Sequence, residues 1–205
     1  VSYPYAMMPG MASLRTRPAD PDRWDDVVEV MGTRGDPSRC WCQFFQRRGR
    51  DWSTATTASN RERLCAQVRS SDIAPGVLAY ADDEPVGWCQ VGPKAGFTRL
   101  EHSPVTTPPA DEPDPSDLWA VTCFVVRPRH RRHGVAAALL AAAIEHAERH
   151  GASAVEGYPV DPTARARVSS AELYHGTLSL FLGAGFHQVR RPGPSRVVVR
   201  RSGRG

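Results

Sequence analysis

The chain has 205 residues, 40% of them hydrophobic, and a formal net charge of +4. That is enough to bury one core, too apolar and aromatic for a disordered polymer, and basic enough to favour anionic partners without naming one. No run is apolar and long enough for a membrane helix, and the first residues lack the charged start and apolar middle of a secretory signal. Five cysteines without a C-x-x-C pair read as reduced thiols, so the expected location is cytoplasmic, with no membrane partner.

In chain order, "VSYPYAMMPGMASL" has no amphipathic period, and residues 1–13 are expected to form a flexible extension ahead of a single domain over 14–205. "DPDRWDDVVEVMG" predicts a helix, with Pro21 in its first turn, Trp24, Val27, Val28 and Met31 inward, and Gly32 as its stop. A second helix follows through "SNRERLCAQVRSS", capped by Ser59 or Asn60, with Leu64, Cys65 and Val68 inward. The period then changes. "GVLAYADDEPVGWCQVGP" reads as a hairpin turning at Asp82 to Pro85, and the proline- and acid-rich stretch from Ala95 to Asp117 reads as a long loop.

"LWAVTCFVV", nearly all apolar, predicts a strand buried on both faces. Beyond "RPRHRRH" comes "GVAAALLAAAIEHAERHG", a helix whose inward face is Val135, Leu139, Leu140, Ala143, Ile144 and Ala147. "AVEGYPV" is a further strand, "TLSLFLGAGF" a last helix, and "HQVRRPGPSRVVVRR" a terminal pair of strands. The expected class is α/β, a mixed sheet clothed by helices in the order α-α-β-β-β-α-β-α-β.

The junction "VVRPRHRRHGVA" carries the chemistry. A buried strand enters a basic turn that opens a helix at a glycine, and helix starts present unpaired N–H groups with the positive end of the macrodipole. The site is therefore expected to hold a phosphate or diphosphate, Gly134 letting it approach the backbone, small Ala136 keeping the first turn uncrowded and the arginines adding charge. A G-x-x-x-x-G-K-[ST] is missing, which excludes the common nucleoside triphosphate loop, and so is G-x-G-x-x-G at the first strand-helix turn. "CWCQFF" holds Cys40 and Cys42 at a spacing that can ligate zinc, but no second pair completes four positions, and no metal is expected.

These residues resemble the GNAT superfamily of acetyl-CoA-dependent N-acyltransferases. "RRHGVA" is similar to its diphosphate signature [Q/R]-x-x-G-x-[G/A], through Arg131, Gly134 and Ala136, and "LFLGAGF" is similar to its closing LY-x-x-x-GF. The likeness runs from about Leu14 to Arg201. "CWCQFF", "GWCQVGP" and "YHGTLSLF" are similar to a group of bacterial members. The resemblance implies a GNAT domain that binds acetyl-CoA as co-substrate, with Arg131, Arg132, His133, Gly134, Val135 and Ala136 around the diphosphate, Phe124, Val125 and Val126 along the pantetheine arm and a backbone N–H near Phe124 or Val125 at the oxyanion. It also implies a departure: where the family often has the tyrosine that protonates the departing thiolate, this chain has Phe181. Tyr174, where the family often has Asn, is then the candidate acid, the alternatives being water or no acid at all.

An ammonium acceptor must lose a proton before it attacks a thioester. Glu156, mid-strand between apolar neighbours, is either that base or a satisfied structural carboxylate, and Tyr158 shares its face. Cys123, in a buried strand, reads as packing. Trp41, Phe44 and Phe45, with the loop from Ala95 to Asp117, are expected either to wall the amine site or to belong to the core. The main functional expectation is acetyl transfer to the primary amine of a small molecule or peptide, by a monomer or homodimer. Two others stand beside it: a CoA-binding protein without catalysis that acts as a regulatory partner, and nucleic-acid binding through "RPRHRRH". The working partner set excludes nucleic acid.

Overall fold

The computed structural model describes residues 13–103, 106–108, 117–164 and 168–203. Its seven strands are β1 Leu14–Pro18, β2 Gly76–Ala81, β3 Glu84–Pro93, β4 Leu118–Val126, β5 Ala154–Gly157, β6 His187–Arg190 and β7 Val198–Ser202. They form one open sheet in the order β1-β2-β3-β4-β5-β7-β6. Only β4 and β5 pair in parallel; the other neighbours are antiparallel. A parallel pair needs a crossover, which the long alanine- and leucine-rich helix supplies.

The helices are α1 Trp24–Met31, α2 Asp36–Cys40, α3 Gly49–Ser53, α4 Thr57–Ser70, α5 Thr98–Glu101, α6 Val135–Arg149, α7 Ser170–Leu173 and α8 Leu178–Gly183. All six inward residues read from the sequence of α6 are buried. They pack with β2, β3, β4 and Phe181 of α8 in one cluster. Trp24, Val27, Leu64 and Val68 of α1 and α4 form another with Leu78, Trp88 and Val125. Alternate residues of β3 and β4 thus go to opposite clusters, as a strand covered on both sides requires.

The sequence reading missed β1 and the short helices α2, α3, α5 and α7, and its element order needs that correction. β1 alternates half-buried and exposed residues at an edge, with only one large apolar side chain, Leu14, so its pattern is faint; Pro18 is tolerated at its end. The cap of α4 also moves. Thr56 is the N-cap, in a reciprocal capping box with Ser59, because Ser59 sits at the third helical position and bonds backward. The expectation for residues 1–13 falls almost wholly outside the described residues, as does much of the loop from Ala95 to Asp117.

Two irregularities of β4 create the site. Cys123 pairs with Gln90 and Val121 with Val91, which leaves Thr122 as an extra residue. Such a bulge turns the strand locally. The pairing with β5 ends at Val121↔Gly157, so beyond it β4 and the chain after β5 diverge.

Candidate active site

The segment between α7 and α8 enters the divergence. Phe124 N–H donates to the Tyr174 carbonyl at 2.7 Å and Val160 N–H to the Gly176 carbonyl at 3.0 Å, while Leu178 N–H returns to the Val160 carbonyl at 2.9 Å. Gly176 makes this possible. Its φ is +77, and an added Cβ would stand 2.9 Å from the Phe181 ring and 3.2 Å from Phe124, so neither the conformation nor the space suits another residue. The wedge leaves one cavity on each face of the sheet.

On the α6 face, a cavity of about 380 Å³ is lined by Phe124, Val126, His130, Arg131, Arg132, Gly134, Val135, Ala136, Leu173, Tyr174, Gly176 and others. Arg132 and Gly134 both have positive φ, so the turn reverses sharply just ahead of the helix start. The first helical bond of α6 is Ala138 N–H to the Gly134 carbonyl, 3.0 Å, leaving the amides ahead of it for a ligand. Most of the expected phosphate residues therefore meet at one cavity. His133 is exposed and does not line it. Val125 also differs from expectation: strand alternation turns its amide towards Trp88 of β3, and its side chain lines the opposite cavity. Phe124 and Val126 face the divergence.

On the other face, a cavity of about 550 Å³ is lined by Asp36, Arg39, Cys40, Cys42, Phe44, Phe45, Trp52, Thr122, Cys123, Val125, Glu172, Tyr174, His175 and Arg196, among others. Phe44 meets Phe45 and Trp52 edge-on, at 5.1 and 5.3 Å between ring centres, and is 37% exposed. Asp36 and Arg39 of α2 and the Glu172–Arg196 pair, 3.3 Å apart, line the cleft beside this aromatic wall. Trp41 is a correction. It is 4% exposed, stacks on Trp24 at 5.9 Å and belongs to the α1–α4 core, because its left-handed backbone (φ 49) points it inward. Tyr158 is a second: it is buried and stacks behind Phe45 at 6.2 Å, so it supports the wall without lining it.

Cys123 is half-buried and faces this cavity, with Cys42 Sγ at 3.1 Å. The hydrogen bond to Cys123 and burial push the Cys42 thiol up, and burial pushes Cys40 up to about 11. These two thiols hold their protons at neutral pH, which speaks against a thiolate nucleophile.

Tyr174 is the one residue common to both linings. Two cavities on opposite faces of the sheet thus meet at one tyrosine. The model of the acetyltransferase (GNAT) family matches residues 40–168. The chain belongs to the GNAT family.

Solved GNAT structures share the fold. The GNAT domain of PAT from S. lividans is 18% identical with a TM-score of 0.54, the match covering 92% of this chain and 90% of that one. The paia N-acetyltransferase from Thermoplasma acidophilum, solved in complex with coenzyme A, is 13% identical with a TM-score of 0.53, covering 93% of this chain and 99% of that one. Ard1 from Thermoplasma volcanium is 13% identical with a TM-score of 0.50, covering 94% and 99%. No curated protein sequence matches.

Within this GNAT chain, the two carboxylate readings of Glu156 are now separable. It is 0% exposed and absent from the cleft lining. Its Oε1 accepts from Lys94 Nζ and the Tyr158 hydroxyl, each at 2.8 Å, and its Oε2 from Arg200 at 2.6 Å. Two cations and a phenol hold both oxygens, so it is a satisfied structural carboxylate and not an accessible base. Phe181 is likewise enclosed, 0% exposed, edge-on to Phe124 at 6.0 Å and to Phe186 at 5.0 Å. Tyr174 ends α7, and Thr177 caps α8 separately three residues on. Burial, with the Asp36 carboxylate adding to it, raises the phenol of Tyr174 above its ordinary range.

Sequence reasoning passed over His175. Its Nδ1 lies 3.1 Å from the Thr122 carbonyl, its ring meets Phe45 edge-on at 5.2 Å, and it lines the cleft. Adjacency to Tyr174 was the available signal, but only the bulge at Thr122 shows where the ring is held.

Proposed function

We propose that the protein transfers an acetyl group from acetyl-CoA to the primary amine of a small molecule or peptide, by direct attack in a ternary complex. The observation that carries this reading is the pair of cavities on opposite faces of the sheet that meet at Tyr174. A cofactor tail held at the Arg131–Ala136 turn reaches the divergence from one side, and an amine held among Phe44, Phe45 and Trp52 reaches it from the other. The residues fit CoA: amides and arginines for the diphosphate, Phe124 and Val126 for the pantetheine chain. Bringing the two reactants together in a fixed geometry is the largest contribution such a site makes.

In this reading Tyr174, which lines both cavities, gives its proton to the departing thiolate, and its raised pKa keeps that proton available at neutral pH. Phe124 N–H, held by the Tyr174 carbonyl, is not free to receive the oxyanion unless the wedge shifts when CoA enters. Phe181 is the observation behind a second reading, a CoA-binding protein without turnover. A thermal-shift titration with acetyl-CoA, followed by a thiol-release screen over aryl-alkylamines, diamines and peptide N-termini, separates the two. A melting temperature that rises with acetyl-CoA and thiol released with an amine support transfer; a rise with no thiol released supports the second reading; no rise refutes both.

A further inference from the structure

We infer that His175 is the general base that deprotonates the amine acceptor, a role resting on the acetyl-transfer reading above. A carbonyl oxygen can only accept, so the contact with Thr122 fixes the proton of the neutral ring on Nδ1 and leaves the lone pair on Nε2. Among the described residues Nε2 has no hydrogen-bond partner. Phe45 holds the ring edge-on, and the ring stands on the lining of the amine cleft next to Tyr174. Glu156, one of two readings of which was the base, is locked by Lys94 and Arg200, which leaves the task to a group that faces the acceptor.

The surroundings suit the task. Burial lowers the pKa of His175; the Thr122 carbonyl opposes this, Arg196 adds to it and Glu172 opposes it. Arg196 pairs with Glu172 at 3.3 Å, so the two charges beside the ring largely offset each other. Asp36, Arg39 and Cys40 from α2, Cys42 after it, Cys123 from β4 and Tyr174 also line the cleft, Asp36 and Arg39 adding one charge of each sign. The ring is thus neutral at neutral pH.

The protons balance as follows. An acceptor R–NH3+ gives one proton to Nε2, and the free amine attacks the thioester carbonyl, forming the C–N bond. Collapse breaks the C–S bond, and Tyr174 protonates the sulfur. The second nitrogen proton returns to the Tyr174 oxygen, and His175 later releases its own to solvent. The net products are the amide, CoA thiol and one proton.

The test uses the full chain with phenethylamine, chosen for the aromatic wall, as the probe acceptor. For His175→Gln, kcat/KM should fall about 100-fold or more at pH 7 and converge on the wild type near pH 10, where the amine is already neutral. The acetyl-CoA melting shift should be unchanged. In His175→Ala, added imidazole should restore part of the rate. An equal loss at all pH values, or no loss at pH 7, overturns the role. Independently of any acceptor, 15N-histidine spectra should show His175 as the Nδ1–H tautomer titrating below free histidine; an Nε2–H tautomer overturns it. Loss of the acetyl-CoA shift in the wild type would instead overturn the underlying transferase reading.

Discussion

Replacing Tyr174 with phenylalanine removes one oxygen from the point where the two cavities meet. The structure sets the stability side of the expectation. Among the described residues the hydroxyl has no protein hydrogen-bond partner, and the contact that anchors the wedge, Phe124 N–H to the Tyr174 carbonyl at 2.7 Å, is backbone and survives. Stability should therefore change by no more than about 0.5 kcal/mol, or roughly 1–2 °C in melting temperature for a chain of this size. Catalysis should respond differently. A positioned proton donor contributes about 10²–10⁴ in rate, equivalent to roughly 2.7–5.5 kcal/mol of barrier. Because the donor acts on sulfur as the bond breaks, kcat should fall and acetyl-CoA affinity should hold. Thiol release with a turned-over amine, measured beside thermal melts with and without acetyl-CoA, reads both sides. A variant whose kcat stays within about threefold of the wild type refutes the acid role, since that leaves under about 1 kcal/mol for it.

Phe181→Tyr should restore no activity and should lower stability, because the ring is enclosed and an unpaired buried hydroxyl costs about 1–3 kcal/mol; a faster enzyme with an unchanged melt would contradict this. Gly134→Val should abolish the acetyl-CoA melting shift, since the position needs φ of +79 and a β-branched side chain there distorts the turn; a retained shift would remove the turn from the phosphate site. Trp41→Ala should cost about 3–5 kcal/mol while leaving the acceptor KM in place, which melts and amine titrations can check. Stability should also decline as pH falls below about 6.5, the unperturbed histidine value. His146 and His175 both have lowered pKa values, led by burial, so between the folded and unfolded values the unfolded chain binds more protons and acid favours it. Melts from pH 8 to 5 with no decline would show that these rings are not held neutral.

Several elements could be read from sequence because one local signal sufficed. Helix α6 has a strong 3.6 period, β4 is apolar throughout, and the turn between them carries its glycine and arginines in one short run. The amine cleft could not be read in that way. It is assembled from α2, the loop after it, α3, β4, α7 and the segment before β7, so no window contains it. Trp41 and Phe44 show the difficulty: three residues apart in one aromatic run, one enters the core and the other the cleft, because a left-handed backbone at Trp41 and Cys42 breaks the periodicity that pattern reading relies on. Glu156 was flagged for the right reason, burial, yet burial alone did not disclose Lys94, 62 positions away. Val125 was given a place along the pantetheine by the family resemblance, whereas alternation along the strand turns its amide to β3 and only Phe124 and Val126 to the cavity.

The two proposed proton carriers are consecutive, and the backbone explains why. In an extended strand, neighbouring side chains point to opposite faces, but Tyr174 has helical φ and ψ at the end of α7, and the following residues are pinned by Val160 on one side and by Phe124 and Thr122 on the other. Tyr174 thereby reaches both cavities, while His175 is drawn across to the bulged carbonyl on the amine side. The bulge at Thr122 matters for the same reason. A regular β4 would direct that carbonyl into the ladder with β3 or along the unbroken sheet, and the histidine would lose the partner that sets its tautomer. A glycine at 176, a bulge at 122 and the early end of β5 are therefore three parts of one arrangement: each by itself weakens the sheet, and together they bring Tyr174, the proposed proton donor for sulfur, and His175, the proposed proton acceptor for nitrogen, to the same opening.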